Sequence, residues 1–177
     1  MKRVSFCIVL LSASLQAQAT GKHVAHMSIP SVKGVLQLDV GAKFDTRVRR
    51  DGKEVQLRAF GRADGLEITA FLQRVDFDAT ADKCLSAWWP DSKKSPLPKT
   101  DIQEKPARNG IARAEYMVEE FGGVKVQQKN VHAYLGSRDL CAEIHLSKAG
   151  FKPNDISLFE DFLASVRLLP EEQASAK

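Results

Sequence analysis

Apolar side chains recur at every second residue through two separate blocks of this chain, and that period is the mark of half-buried β-strands. In the first block Leu36, Leu38 and Val40 alternate with Gln37 and Asp39. Phe44 to Arg49 follows, then Asp51-Gly52, a strong hairpin signal. Val55, Leu57 and Ala59 next alternate with Gln56, Arg58 and Phe60, and a turn at Ala63-Asp64-Gly65 leads into Leu66 to Val75. This block reads as an antiparallel meander preceded by a lead-in over residues 20–33. In the second block Ile102 to Lys105, Ile111 to Glu119, Val124 to Leu135 and Leu140 to Ser147 read as strands. Turns are expected at Asn109-Gly110, at Gly122-Gly123 and over Gly136 to Asp139.

Two stretches break that period and adopt the helical one. After Asp78 or Thr80, either able to accept hydrogen bonds from a first helical turn, Cys84, Leu85, Trp88 and Trp89 fall on one stripe. Pro90 is expected to end or kink this helix, since it lacks an N–H and restricts Trp89. Asp91 to Lys99 then reads as a loop. The second helix starts near Pro153, whose fixed φ suits a first helical position, and its apolar face is Ile156, Phe159, Phe162, Leu163 and Val166. Strands, helix, strands, helix contain no repeating βαβ unit. The expected fold class is therefore α+β, an antiparallel β-sheet with helices on both faces, an α/β/α sandwich.

The N-terminus points to export. Lys2 and Arg3 precede an apolar run from Val4 to Leu15, and Ala17-Gln18-Ala19 has the small-x-small pattern of a signal-peptidase site. The run is shorter than the ~20 residues of a bilayer span. Residues 1–19 are thus expected to be a cleaved signal peptide, residues 20–169 one domain, and residues 170–177 a flexible tail. The expected location is periplasmic or secreted, with no transmembrane span. Removing 19 of the 177 residues, Lys2 and Arg3 among them, lowers the formal net charge from +4 to +2. That balance names no partner, and export makes nucleic acid an improbable one. Only Cys84 and Cys141 remain after cleavage. In an oxidising compartment a disulfide between them is one reading; two buried thiols packed as small hydrophobes are the other.

The second block also resembles known sequences. Lys129-Asn130-Val131-His132-Ala133-Tyr134-Leu135, Ile144-His145-Leu146-Ser147-Lys148 and Phe151-Lys152-Pro153 through Leu158-Phe159 to Ser165-Val166 look like a group of uncharacterised exported bacterial proteins. Cys84 to Trp88 and Ser95-Pro96-Leu97 are similar to the same group. The order of elements resembles the Mog1/PsbP-like α/β/α sandwich. The resemblance implies an accessory module that binds a larger partner, here another envelope or secreted protein. Pro90 departs from the pattern, which continues the first helix past the Trp pair.

Chemistry-bearing residues are few. G-x-S-x-G, H-E-x-x-H, C-x-x-C and a phosphate-cradling glycine loop are all missing from the sequence, so neither an enzymatic activity nor a cofactor is implied. On the last hairpin, a turn over Gly136 to Asp139 would set Tyr134 opposite Cys141, His132 opposite Glu143 and Asn130 opposite His145. Val131, Ala133, Leu135, Leu140, Ala142, Ile144 and Leu146 would then face the core. On the other face His132, Glu143 and His145 are close enough to converge on a cation, or for two of them to share a proton. The alternative is a hydrogen-bonded polar face partly covered by the first helix. If Cys84 pairs with Cys141, that helix must lie over the polar row.

Trp88 and Trp89, with Tyr134, are candidates for ligand or partner contact. Neighbouring helical positions point about 100° apart, so one ring can be buried and the other exposed; core packing is the alternative. His23 and His26 lie in the lead-in, and cleavage one residue late would leave an amino-terminal Gly21-Lys22-His23 suited to Cu(II). The meander is basic through Arg47, Arg49, Arg50, Lys53, Arg58 and Arg62. Such a face can meet anionic headgroups or an acidic partner, or simply remain solvated.

Overall fold

The computed structural model describes residues 24–28, 34–39, 45–51, 54–63 and 65–169. Residues 1–19, 170–177, His23 and Lys53 lie outside them. The elements are β1 (Val24–Ser28), β2 (Val35–Asp39), β3 (Asp45–Asp51), β4 (Glu54–Ala63), β5 (Leu66–Arg74), α1 (Ala81–Lys93), β6 (Thr100–Arg108), β7 (Ile111–Phe121), β8 (Val124–Ser137), β9 (Leu140–Lys148), α2 (Ile156–Ser165) and β10 (Arg167–Leu169). A seven-stranded sheet runs in the order β3-β4-β5-β9-β8-β7-β6, with every neighbouring pair antiparallel. No helix among the described residues is long and apolar enough to cross a membrane.

Strand alternation divides the large sheet into two faces, and each takes a different cover. Leu66, Ile68, Ala70 and Leu72 of β5, Val131, Ala133 and Leu135 of β8, and Ala142, Ile144 and Leu146 of β9 share one buried cluster with Phe159, Phe162, Leu163 and Val166. Val166 directly follows α2, which therefore lies on this face. Each Leu, Ile, Val or Phe side chain among them stabilises by roughly 1.5–3 kcal/mol when fully buried. The opposite face, carrying Ala112, Ala114, Tyr116, Val118, Tyr134 and Cys141, packs against Cys84 and Trp89 of α1. The fold is thus α+β, one antiparallel sheet with a helix against each face.

The structure corrects four sequence expectations. First, the strand at residues 35–39 does not belong to the meander. It pairs with β1 and β10 in a separate three-stranded antiparallel sheet. Leu36 and Leu38 are wholly buried in the cluster that α2 covers, so this strand is a lid on the large sheet and not a member of it. Second, α1 continues through Pro90 to Lys93 and closes with the Lys94 N–H on the Pro90 carbonyl. Cys84 before Pro90 and buried Trp89 beside it clamp the helix to the sheet, which offsets the one backbone hydrogen bond that proline cannot make. Thr80 is the N-cap, its Oγ1 accepting from the Lys83 N–H at 3.3 Å.

Third, the last hairpin turns on two residues, Arg138 and Asp139, and not on four. Ser137 pairs with Leu140, Gly136 with Cys141, Tyr134 with Glu143 and His132 with His145. Arg138 takes φ 55°, in the left-handed region that such a tight turn needs. The carbonyls of Arg138 and Asp139 accept from the Ala79 and Val75 N–H groups, tying the turn to the segment before α1. The slip is two residues, so every side chain keeps its face while its partner changes. Fourth, Ile156 is 42% exposed and is not part of the helix's buried face. Pro153 opens a 3-10 turn, Pro153–Asp155, ahead of α2.

Candidate functional site

The sheet face under α1 gathers almost every titratable side chain singled out in the second block. α1 is held there by a disulfide between Cys84 and Cys141, with Cα atoms 5.7 Å apart. Gly136, opposite Cys141, passes so close to the helix entry that a Cβ on it would lie 2.5 Å from the Thr80 carbonyl carbon. Strand and helix backbone are therefore in direct contact at this point. Trp89 reaches down from the next turns of the helix, 2% exposed, and its indole N–H donates to Glu104 Oε1 at 2.7 Å. Lys93 donates to the same oxygen at 2.9 Å. The two donors, Lys93 first, hold the Glu104 carboxyl below its ordinary range.

Beneath Trp89 a row of rings crosses three strands. Tyr116 of β7 stacks on His132 of β8 at 5.7 Å between centroids, and His132 stacks on His145 of β9 at 4.2 Å with planes 15° apart. Glu143 Oε1 lies 2.6 Å from His132 Nδ1, and the Tyr116 hydroxyl lies 3.4 Å from His132 Nε2. An Nδ1–H donating to the carboxylate and an Nε2 accepting from the phenol satisfy both contacts. Tyr134, fully buried, donates to Glu143 Oε1 at 3.5 Å. His145 Nε2 lies 3.0 Å from Asn130 Oδ1, which also accepts from the Gln128 side chain at 3.1 Å.

Desolvation governs the acid–base behaviour of this row. It pushes the His145 imidazolium down to about 3, and neighbouring His132 adds to the effect. Burial, with the Glu143 carboxylate as a second cause, raises the Tyr116 phenol to about 12, and it raises Tyr134 as well. His145 is thus a neutral hydrogen-bonding partner at ordinary pH.

The sequence-predicted residues fall as follows. His132, Glu143 and His145 come together, with the two imidazoles stacked face to face in nearly parallel planes. Both nitrogens of His132 are already engaged, by Glu143 and by the Tyr116 hydroxyl, and Nε2 of His145 by Asn130. Among the described residues no group of three His, Cys, Asp or Glu side chains is placed to hold a metal ion. Trp89 and Tyr134 are interior side chains and present no surface to a partner. Trp88, about one-quarter turn away, is half-buried edge-on against Phe71 at 5.3 Å. Of the basic residues in the first block, Arg47, Arg49 and Arg50 fall in β3, and Arg58 and Arg62 in β4; His26 falls in β1.

Sequence reasoning missed Tyr116 and Glu104 as members of the network, whereas Asn130 was expected on this face. Tyr116 shares its parity with Ala112 and Ala114, and that alternation was the available signal. It also missed a cleft of about 1160 Å³ between the β6–β7 hairpin and α2. The cleft lies on the α2 side of the sheet, away from the ring row. Lys105, Arg108, Arg113 and Arg167 line it with Glu160 and an apolar patch at Ile111 and Leu163. Arg113 donates to Glu160 Oε1 at 2.6 Å. Next to it buried Glu115 accepts from Lys105 at 2.7 Å and from Lys129 at 3.0 Å. Burial alone would raise the Glu115 carboxyl, but the two lysine hydrogen bonds outweigh it and hold the group low. Comparison with protein families, with curated proteins and with solved structures finds no match to this chain.

Proposed function

We propose that this chain is an exported, non-enzymatic accessory module of the cell envelope that binds another protein. The observation that carries the reading is a division of labour between the two faces of the sheet. The titratable side chains of the ring row lie beneath a disulfide-anchored helix, His132 buried and Glu143 and His145 half-buried, and they bond one another or Asn130. The open, charged concavity lies on the far side, beyond their reach. A catalytic centre needs its titratable groups where a substrate can approach them, whereas a binding module needs only a shaped and charged surface.

The Cys84–Cys141 disulfide supports an oxidising compartment, in keeping with cleavage near Ala19. A helix on each face of one antiparallel sheet supports the Mog1/PsbP-like sandwich as the finer architecture, and with it the accessory role by fold analogy. The test is affinity purification of the full chain, expressed with its own leader, from the envelope fraction. We expect mature protein beginning at Thr20 and one recurrent partner that re-forms a complex with it from purified components. A chain retained in the cytoplasm, or one that recovers no partner able to re-form a complex, would overturn the reading.

A further inference from the structure

The charge in the cleft specifies what kind of segment it receives. Four cations, Lys105, Arg108, Arg113 and Arg167, line it with one carboxylate, Glu160, while Glu115 and its second lysine, Lys129, lie behind Lys105. Glu160 is engaged by Arg113, and Glu115 lies between the two lysines. Neither Arg108 nor Arg167 has a carboxylate partner among the described residues. Arg167 is nonetheless held in place, because its Nη1 donates to the Ala164 and Val166 carbonyls at the end of α2, at 2.7 and 2.6 Å. Its Nε and Nη2 remain to take a carboxylate, and a guanidinium already fixed in position loses little freedom when it does so.

We propose that this cleft receives an extended acidic segment of the partner protein, with carboxylates paired by Arg108 and Arg167. The inference rests on the protein-binding reading and adds the site and the chemistry of the partner. The volume of about 1160 Å³ exceeds the ~300–1,000 Å³ of small-molecule pockets and suits several residues of extended chain. Exposed Pro106, Ala107 and Ala164 give the segment apolar contact between the charged walls, above the buried Ile111 and Leu163. The neighbouring edge of the sheet does not offer the rival route of strand addition. β6 shifts register between Thr100 and Gln103 and again between Lys105 and Arg108, and Pro106 supplies no N–H. Recognition therefore falls to side chains in the concavity. A flat bilayer surface cannot enter a cleft walled by a hairpin and a helix, which favours peptide over lipid.

The test uses the full mature chain and a fluorescein-labelled peptide of alternating Glu and Thr, followed by fluorescence anisotropy. We expect saturable binding that weakens with added salt. Arg108→Glu should reduce affinity by roughly tenfold or more, the worth of one charged hydrogen bond. Arg108 is exposed and pairs with Ile111 through its backbone, and its side chain makes no hydrogen bond or ion pair among the described residues, so this variant tests the site without disturbing the fold. Arg167→Glu should act in the same direction, and the double variant should bind a Lys–Thr peptide that the parent rejects. Equal affinity of the Glu–Thr peptide for parent and Arg108→Glu would overturn the proposal. So would anionic phosphatidylglycerol vesicles that bind through the same arginines while the peptide does not. If the peptide fails but the partner still re-forms its complex with Arg108→Glu, the acidic-segment inference falls and the binding reading stands. If the peptide binds as expected but no partner is recovered, the binding reading falls and the site keeps only its charge preference.

Discussion

Gly136→Ala is the substitution that most directly tests how α1 sits on the sheet. The new Cβ would lie 2.5 Å from the Thr80 carbonyl carbon, 2.6 Å from its oxygen and 2.8 Å from the Ala79 carbonyl carbon. Carbon–carbon contact is comfortable from roughly 3.5 Å, so strand and helix entry must separate by about 1 Å. The obstructing atoms are all backbone, so no side chain can rotate away. The helix cannot easily slide either. Cys84 is bonded to Cys141, the cross-strand neighbour of Gly136, and the Ala79 N–H is bonded to the Arg138 carbonyl. Overpacking costs roughly 1–3 kcal/mol, and this site belongs at the upper end. For a chain of this size about 3 kcal/mol lowers Tm by roughly 6–12 °C. The assay is thermal unfolding by circular dichroism, under oxidising conditions, of parent and variant. A second pair carries Cys84→Ser and Cys141→Ser. Without the bond α1 can lift, so the added loss from Gly136→Ala should fall to about half. A Tm within about 2 °C of the parent in the oxidised pair would refute the close approach. An undiminished loss in the serine pair would refute the role given to the disulfide as the clamp.

The remaining predictions concern the same face. The disulfide closes a loop of sequence separation 57, and in the chain-entropy treatment its removal costs about 4 kcal/mol; urea unfolding of the Cys84→Ser/Cys141→Ser protein measures this, and an unchanged midpoint would count against it. His145 is held at about 3 in the folded chain against about 6.5 unfolded, so the unfolded state binds the extra proton between those values. Its stabilising contribution is complete above pH 6.5 and is lost as pH falls toward 3, by about 2 kcal/mol between pH 8 and pH 5. Stability curves across that window, compared with His145→Gln, read the effect. A His145 ring proton signal titrating near 6.5 by NMR would contradict it.

What could be read from sequence, and what could not, divides along the range of the forces involved. Period two in residues 131–135 and 140–146 assigns faces, because successive strand side chains alternate whatever the pairing. His132, Glu143 and His145 were therefore placed correctly on one face. Their partners were not, because the turn length depends on Arg138 accepting a left-handed φ and on Ala79 and Val75 bonding the turn carbonyls. Those donors lie about 60 residues earlier in the chain. The same limit explains Pro90. Local propensity argues for a helix end there, and the packing of Trp89 together with the Cys84 bond overrides it.

The sequence by itself determined the two β blocks, the intervening and closing helices, the apolar face that packs on α2 and the polar face that lies under α1. Those are consequences of residue periodicity and backbone sterics, which act over a few neighbours. Only the tertiary structure decided that residues 35–39 leave the meander for a second sheet, that the two histidines stack, and that Arg108 and Arg167 share one cleft. Each of these depends on burial and charge summed over segments far apart in the chain, and such sums exist only once the layers have closed.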